Sequence, residues 1–264
     1  MITLSREIRF ALVPRAAKFE SKPSNSWAGW PTTLCIAPHL KLLARIEGKP
    51  DPVTGYVCNV AVLDDVLRGI VTEHLIPNWG DAPHQVTGPF LLAEVFRQFQ
   101  ERWQSPERLV SLTLRLSDQL SLTLQPENED MLQLTQQFEF SAAHRLHCDS
   151  MTDQENKDMF GKCNNPNGHG HNYVFDVTVE QKTNDTVDLE KLQQLVKSSV
   201  IDRLDHKNLN VDIEYFQDVN PSVENISVVV FDWINRCLAE AKFDANLVAV
   251  KVFETPKTWA EYRG

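Results

Sequence analysis

Gly161-Lys162-Cys163-Asn164-Asn165-Pro166-Asn167-Gly168-His169-Gly170-His171-Asn172-Tyr173 decides how this chain is read. Five residues separate a cysteine from a His-x-His pair, and the pair runs straight into an alternating stretch. From Val174 to Glu180 the pattern predicts a β-strand, with Tyr173, Phe175, Val177 and Val179 on one face and Asp176, Thr178 and Glu180 on the other. His169 and His171 share the parity of the apolar set. If the strand reaches back through them, both imidazoles leave the same face, as two ligands of one metal must.

A His-x-His pair alone is more often a polar strand end than a metal site. His144 changes the balance, because it closes another apolar-alternating run, Phe138-Glu139-Phe140-Ser141-Ala142-Ala143-His144-Arg145-Leu146, that also predicts a strand. Three neutral imidazoles with no fourth protein ligand leave a tetrahedral zinc one open position, which suits catalysis better than structure. Structural zinc usually draws on paired cysteines, and Cys35, Cys58, Cys148, Cys163 and Cys237 form no Cys-x-x-Cys.

Composition limits the alternatives. A chain of 264 residues holds one large domain or two ordinary ones, and 42% apolar residues is ample for a core. No run of about 18 apolar residues suggests a membrane span. Met1-Ile2-Thr3-Leu4-Ser5-Arg6-Glu7 lacks the cationic-then-apolar layout of a signal peptide, and scattered, odd-numbered cysteines fit a cytoplasmic protein. A net charge of −10 without a basic stripe argues against nucleic-acid binding. It leaves room for an anionic small molecule met by a few local Lys or Arg residues.

Gln125-Pro126-Glu127-Asn128-Glu129-Asp130 is the best linker candidate, dividing the chain into regions 1–126 and 130–264. Both regions predict the same element order. In the second, Asp188 caps a helix carrying Leu189, Leu192, Val196, Val200 and Leu204; Pro221-Ser222 opens another; Leu247 to Glu254 closes as a strand. In the first, strands are expected over Glu7 to Val13 and Leu40 to Glu47, helices over Asn59 to Leu75 and Pro89 to Trp103, and one or two strands over Leu109 to Leu124. Laid over the second, the first half has Pro14 in place of His144 and Ile76-Pro77 in place of Asp205-His206. It keeps a fold and loses a site, so His39, His74 and His84 are expected to be ordinary loop or helix-end histidines.

With these residues in view, the second half resembles the 6-pyruvoyl tetrahydropterin synthase family from about Phe138 to Gly264. The resemblance rests on Phe140-Ser141-Ala142-Ala143-His144-Arg145-Leu146, the Gly161–Tyr173 block, Leu204-Asp205-His206-Lys207-Asn208-Leu209, Val223-Glu224-Asn225 and Phe253-Glu254-Thr255, in the family's order. It implies an α+β tunnelling fold: ββααββ units, here two in tandem, whose antiparallel sheets assemble into an oligomeric β-barrel with helices outside. It also implies sites between neighbouring units of a homo-oligomer and a small-molecule substrate, 7,8-dihydroneopterin triphosphate, converted to 6-pyruvoyl tetrahydropterin with loss of triphosphate. On the matching positions, zinc is the cofactor, held by His144, His169 and His171. Cys163 is the general base, Asp205 and His206 pass protons, and Glu254 anchors the pterin with help from Thr255 and Glu224. The remaining cysteines read as inert buried thiols.

Ser222-Val223 stands where the family commonly has Thr-Thr, so one hydroxyl contact is in question. The five-residue gap before His-x-His favours the pyruvoyl enzyme over its relative, 6-carboxytetrahydropterin synthase of queuosine biosynthesis, on the same resemblance. A non-catalytic pterin-binding protein is opposed by the presence of Cys163, Asp205 and His206. A zinc hydrolase is opposed by the lack of an acid beside the His-x-His pair.

Overall fold

A computed structural model describes residues 1–13, 24–81, 87–183, 185 and 187–264. Pro14 and His84 fall outside these. The chain resolves into two compact units, Met1–Leu134 with Gln181–Thr186 and Thr135–Glu180 with Val187–Gly264. The division falls after Leu134, beyond the polar 125–130 segment.

Unit 1 runs β1 (Ile2–Ala11), β2 (His39–Gly48), α1 (Val60–Ile70), a π turn (Val71–Leu75), α2 (Ile76–Asp81), α3 (Gly88–Arg102), β3 (Arg108–Arg115) and β4 (Leu120–Leu124). The strands pair antiparallel in chain order. Alternation decides the faces: Ile8, Phe10, Leu40, Leu42, Leu112, Leu114, Leu122 and Leu124 are all buried, as are Leu63, Leu67, Leu92, Val95 and Phe99 of the helices. Asn59 caps α1 by accepting from the Ala61 N–H, and Thr87 caps α3 by accepting from the Phe90 N–H. The expected 109–124 region is two strands, and β1 begins earlier than Glu7.

β5 (Met131–His144) starts just after a 3₁₀ turn over Pro126–Asn128. Then follow α4 (Asp153–Phe160), β6 (His169–Lys182), α5 (Leu189–Val196), a π turn (Lys197–Ile201), α6 (Asp202–Leu204), β7 (Lys207–Asn208), α7 (Leu209–Asp212), α8 (Val223–Glu240), β8 (Asn246–Thr255) and β9 (Thr258–Arg263). In unit 2 the strand order is β5-β6-β8-β9, with the short β7 pairing parallel to β5 at Ala142 and Ala143. The fold is thus α+β with antiparallel sheets. α4 was not expected; β9 supplies the last strand of the expected ββααββ order. Thr152 and Glu155 form a reciprocal capping box that starts α4, whereas β9 follows a tight turn after Thr255 and exposes most of its residues.

Tyr173, Phe175, Val177 and Val179 of β6 are wholly buried, as are Leu192, Val196, Val200, Ile226, Val230 and Ile234 of the helical segments. Phe175 stacks on Phe138 at 5.4 Å and meets Phe140 edge-on at 5.8 Å. This aromatic layer lies directly behind the strand end that bears the histidines. No helix among the described residues is long and apolar enough to cross a membrane. Phe175→Ala should cost about 3–5 kcal/mol of stability, read from urea unfolding; a loss below 1 kcal/mol would show that the layer does not hold the sheet.

Candidate metal centre and active site

Position begins with the loop before β6. Gly168 has φ +69°, and a Cβ there would stand 3.0 Å from the His144 carbonyl oxygen, so a bare backbone brings the start of β6 against the end of β5. The Leu146 N–H donates to the Cys163 carbonyl at 2.9 Å, and the Asn164 amide donates to the Leu146 carbonyl at 2.8 Å. These bonds fasten the cysteine loop to the chain leaving His144.

Strand parity then brings three rings together. His144, His169 and His171 have ring centroids 4.6, 5.2 and 4.7 Å apart pairwise. His144 is fully buried, and its Nδ1–H donates to the Pro221 carbonyl at 2.7 Å. That bond fixes the tautomer and leaves the Nε2 lone pair facing inward. Burial, the chief cause, and repulsion from neighbouring imidazoles pull His144 and His171 below the ordinary histidine value, which keeps them neutral as metal ligands must be.

A fourth group joins them. The Glu254 carboxylate, from β8, lies 3.4 Å from His144 Nε2 and 3.6 Å from His171 Nε2, and one ligand atom from each of the four residues falls within 4.8 Å of the others. The structure thus sets a carboxylate beside the three imidazoles expected from the sequence. No spacing in the sequence could signal this, because the acid arrives through the pairing of β8 with β6.

The donor set fits a metal ion. His144 Nε2 and His169 Nε2 are 3.2 Å apart, while His171 Nε2 is buried without a partner. Ligand atoms about 2.1 Å from a tetrahedral zinc stand about 3.4 Å from one another, close to the separations found here. Burying such nitrogens without a partner is costly, and a shared cation removes the cost.

Cys163 is half-buried. Burial first, and the Glu254 charge second, push its thiol up from the ordinary value. Tyr173, next on the same face of β6, is fully buried, stacks on Phe140 at 5.0 Å and meets His171 edge-on at 5.5 Å. Its hydroxyl has no hydrogen-bond partner, and Glu254 and Cys163 both act on it electrostatically. Sequence reading assigned Tyr173 only to the core.

Asp205 and His206 form a dyad at the other edge of β5. His206 Nδ1 is 2.8 Å from an Asp205 oxygen, whose other oxygen accepts the Ser141 N–H at 2.8 Å. These two bonds, the Ser141 one foremost, hold Asp205 below the usual carboxylate range. His206 has φ +58°, unusual for a non-glycine residue, as the chain turns from α6 into β7; its side chain is 83% exposed. Ser141, Gly170, His171, Asn172 and His206 share the walls of a shallow cavity of about 520 Å³. The dyad's hydrogen bonds run to β5 and not to Cys163.

Phe253, Glu254, Thr255, Asn172 and Gln137 line a second cavity of about 360 Å³. Thr255 Oγ1 accepts the Lys257 N–H in the β8–β9 turn. Glu224 is exposed in the first turn of α8 and stands outside the four-residue cluster.

The other candidates read as follows. His39 opens β2 and reaches the Ala28 carbonyl at 3.3 Å; His74 lies in the π turn beside Arg102 and Glu94. Cys58 is buried, but Cys35 is exposed and Cys148 is half-buried, its thiol drawn down by the Ser150 hydroxyl. Cys237, on α8, is half-buried as well, so of the four thiols expected to be buried only Cys58 is.

Imidazoles converging at strand ends with a carboxylate beside them form a site that could hold a metal ion. The profile of the 6-pyruvoyl tetrahydropterin synthase family matches residues 133–264. A 6-pyruvoyl tetrahydrobiopterin synthase of Drosophila melanogaster is 41% identical over 135 residues, covering 50% of this chain and 79% of that protein. The Homo sapiens enzyme of that name is 40% identical over 136 residues, covering 50% and 91%. The solved structure of Caenorhabditis elegans 6-pyruvoyl tetrahydropterin synthase aligns with 51% of this chain and 96% of its own at 38% identity, with a TM-score of 0.46. This chain belongs to the 6-pyruvoyl tetrahydropterin synthase family.

Two outcomes check the site. Zinc should bind at one equivalent per chain and raise the unfolding temperature, and His171→Ala should abolish that rise. Tyr173→Phe removes a buried hydroxyl that has no partner, so the zinc-free protein should keep its stability or gain up to about 1 kcal/mol; a loss of 2 kcal/mol in thermal unfolding would reveal a partner.

Proposed function

We propose that this chain is a zinc-dependent carbon–oxygen lyase that converts 7,8-dihydroneopterin triphosphate to 6-pyruvoyl tetrahydropterin with elimination of triphosphate. One observation carries the reading: relatives named for this synthase reach about 40% identity over the very half that holds Cys163 and the cluster of His144, His169, His171 and Glu254. Zinc held by the three imidazoles would polarise the side-chain hydroxyls of the substrate and acidify the neighbouring C–H.

The chain's own groups then have separate tasks. Cys163, as thiolate, takes the proton from the side-chain carbon. Its raised value comes partly from the Glu254 charge, so engaging that carboxylate with the donor edge of a pterin, beside a bound cation, lowers it. Glu254 accepts paired hydrogen bonds from the pterin ring N–H and amino group, and the cavity that includes Phe253, Thr255, Asn172 and Gln137 offers room for the ring. Thr255 shapes the rim. Glu224 is assigned a weaker part near the start of α8. His206, oriented by Asp205, delivers or removes the oxygen-side proton.

The exposure of His206 and its bonding to β5 favour a homo-oligomer in which the dyad of one copy completes the Cys163 site of another. In the same reading the chain is a tandem of two tunnelling-fold units, 1–126 and 130–264, that assemble as a barrel in the cytoplasm, the first without catalytic residues. Support for the tandem comes from a shared detail: each unit interrupts its first long helix with a five-residue π turn, Val71–Leu75 and Lys197–Ile201. The nearness of Glu254 to the histidines weakens the sequence argument against a hydrolase, and the family match outweighs it.

Incubation of the zinc-loaded protein with 7,8-dihydroneopterin triphosphate tests the reading: 6-pyruvoyl product and free triphosphate are expected, whereas 6-carboxy product with acetaldehyde contradicts it. Cys163→Ala should lower kcat about 10²–10⁴-fold while zinc content is kept. Mixing inactive Cys163→Ala with inactive His206→Ala, after dissociation and reassembly, should restore part of the activity; no recovery would place both groups in one copy's site.

A further inference from the structure

Three cations stand in one row across unit 1. Arg9 on β1 is paired in register with Lys41 on β2, and Lys41 is paired with Arg115 on β3. Like charges directly opposite across antiparallel strands destabilise a sheet. The row occupies the face turned from the core, since its neighbours Ile8, Phe10, Leu40, Leu42 and Leu114 are the buried ones. With Trp27, His39 and Asp118 these cations line a concavity of about 540 Å³.

The row is only partly neutralised. Glu7 meets Arg9 at 2.7 Å, and Asp118 meets Lys41 at 2.7 Å. Asp118 is 74% exposed at the β3–β4 turn, where an entering anion can displace it. Arg115 feels Asp118 at longer range but forms no ion pair of its own among the described residues. Arg9 is held in place, its guanidinium carbon 4.1 Å over the Trp27 ring, and its Nε–H is buried with no acceptor. A buried, unmatched guanidinium N–H is costly, and the acceptor it best fits is an anionic oxygen.

We propose that the Arg9–Lys41–Arg115 row of unit 1 is a binding site for an oligophosphate group. Two strand spacings separate the outer members by about 10 Å, a span that two or three linked phosphoryl groups reach and a single small anion does not. In a chain of net charge −10, this is a local positive field. The site lies outside residues 133–264, on a different unit from the histidine cluster, and does not rest on the proposed lyase activity.

Inorganic triphosphate titrated calorimetrically into the zinc-loaded full chain is the test. Lys41→Gln/Arg115→Gln should lose one binding equivalent per chain, or weaken it about 100-fold, while kcat on the pterin substrate stays unchanged. Wild-type affinity should fall as salt rises. Equal stoichiometry and affinity in wild type and double variant overturn the proposal, and so does the absence of saturable binding in wild type. If the double variant unfolds, Arg115→Gln alone decides, because Arg115 forms no ion pair of its own among the described residues: a tenfold weakening supports the site, and unchanged binding removes it.

Discussion

The hydrogen bond from His144 Nδ1 to the Pro221 carbonyl, 2.7 Å long inside a fully buried environment, governs the geometry of unit 2. It commits one nitrogen of the ring and so aims the other at His169, His171 and Glu254. The carbonyl belongs to the residue just before the cap of α8, so the start of that helix also sets the tautomer of His144. Under the proposed zinc binding, fold stability and metal affinity are linked through that contact. Loosening the start of α8 frees the ring to rotate, and losing the ring leaves a buried carbonyl without its donor, which costs about 1–3 kcal/mol.

The two units show how similar elements are turned to different chemistry. Both place apolar residues on the helix-covered face of an antiparallel sheet, and both carry a π turn after the first helical stretch. In unit 1 the helix runs on from Leu75 into Ile76–Asp81. In unit 2 it stops at Leu204, Asp205 adopts an extended conformation, and His206 takes positive φ as the chain enters β7. The break exposes an Asp–His pair where unit 1 has continuous helix. At the β5–β6 end, imidazoles occupy the covered face; at the β1–β2 end, that face is filled by Ile8, Phe10, Leu40 and Leu42 and the charged residues stand on the other.

Much of this was legible because strands transmit sequence parity without distortion. His169, His171 and Tyr173 had to share a face once the alternation of Phe175, Val177 and Val179 was seen, and β6 is straight enough to keep it. The helices were legible from their apolar stripes and from Asp188 and Ser222 as caps. Glu254 was hidden as a member of the metal cluster because it joins through a strand register set by the whole sheet. The orphaned Tyr173 hydroxyl was hidden because periodicity reports a side chain's face and not the fate of its polar end. The Arg9–Lys41–Arg115 row was invisible for the same reason as Glu254: its members are more than thirty residues apart and meet only through pairing.

The central claim is that three imidazoles hold zinc and leave the Cys163 sulfur free to move a proton. X-ray absorption at the zinc edge measures this directly. The expected spectrum has only nitrogen and oxygen neighbours at about 2.0–2.1 Å; a sulfur neighbour at about 2.3 Å would make Cys163 a ligand and contradict its assignment as the base.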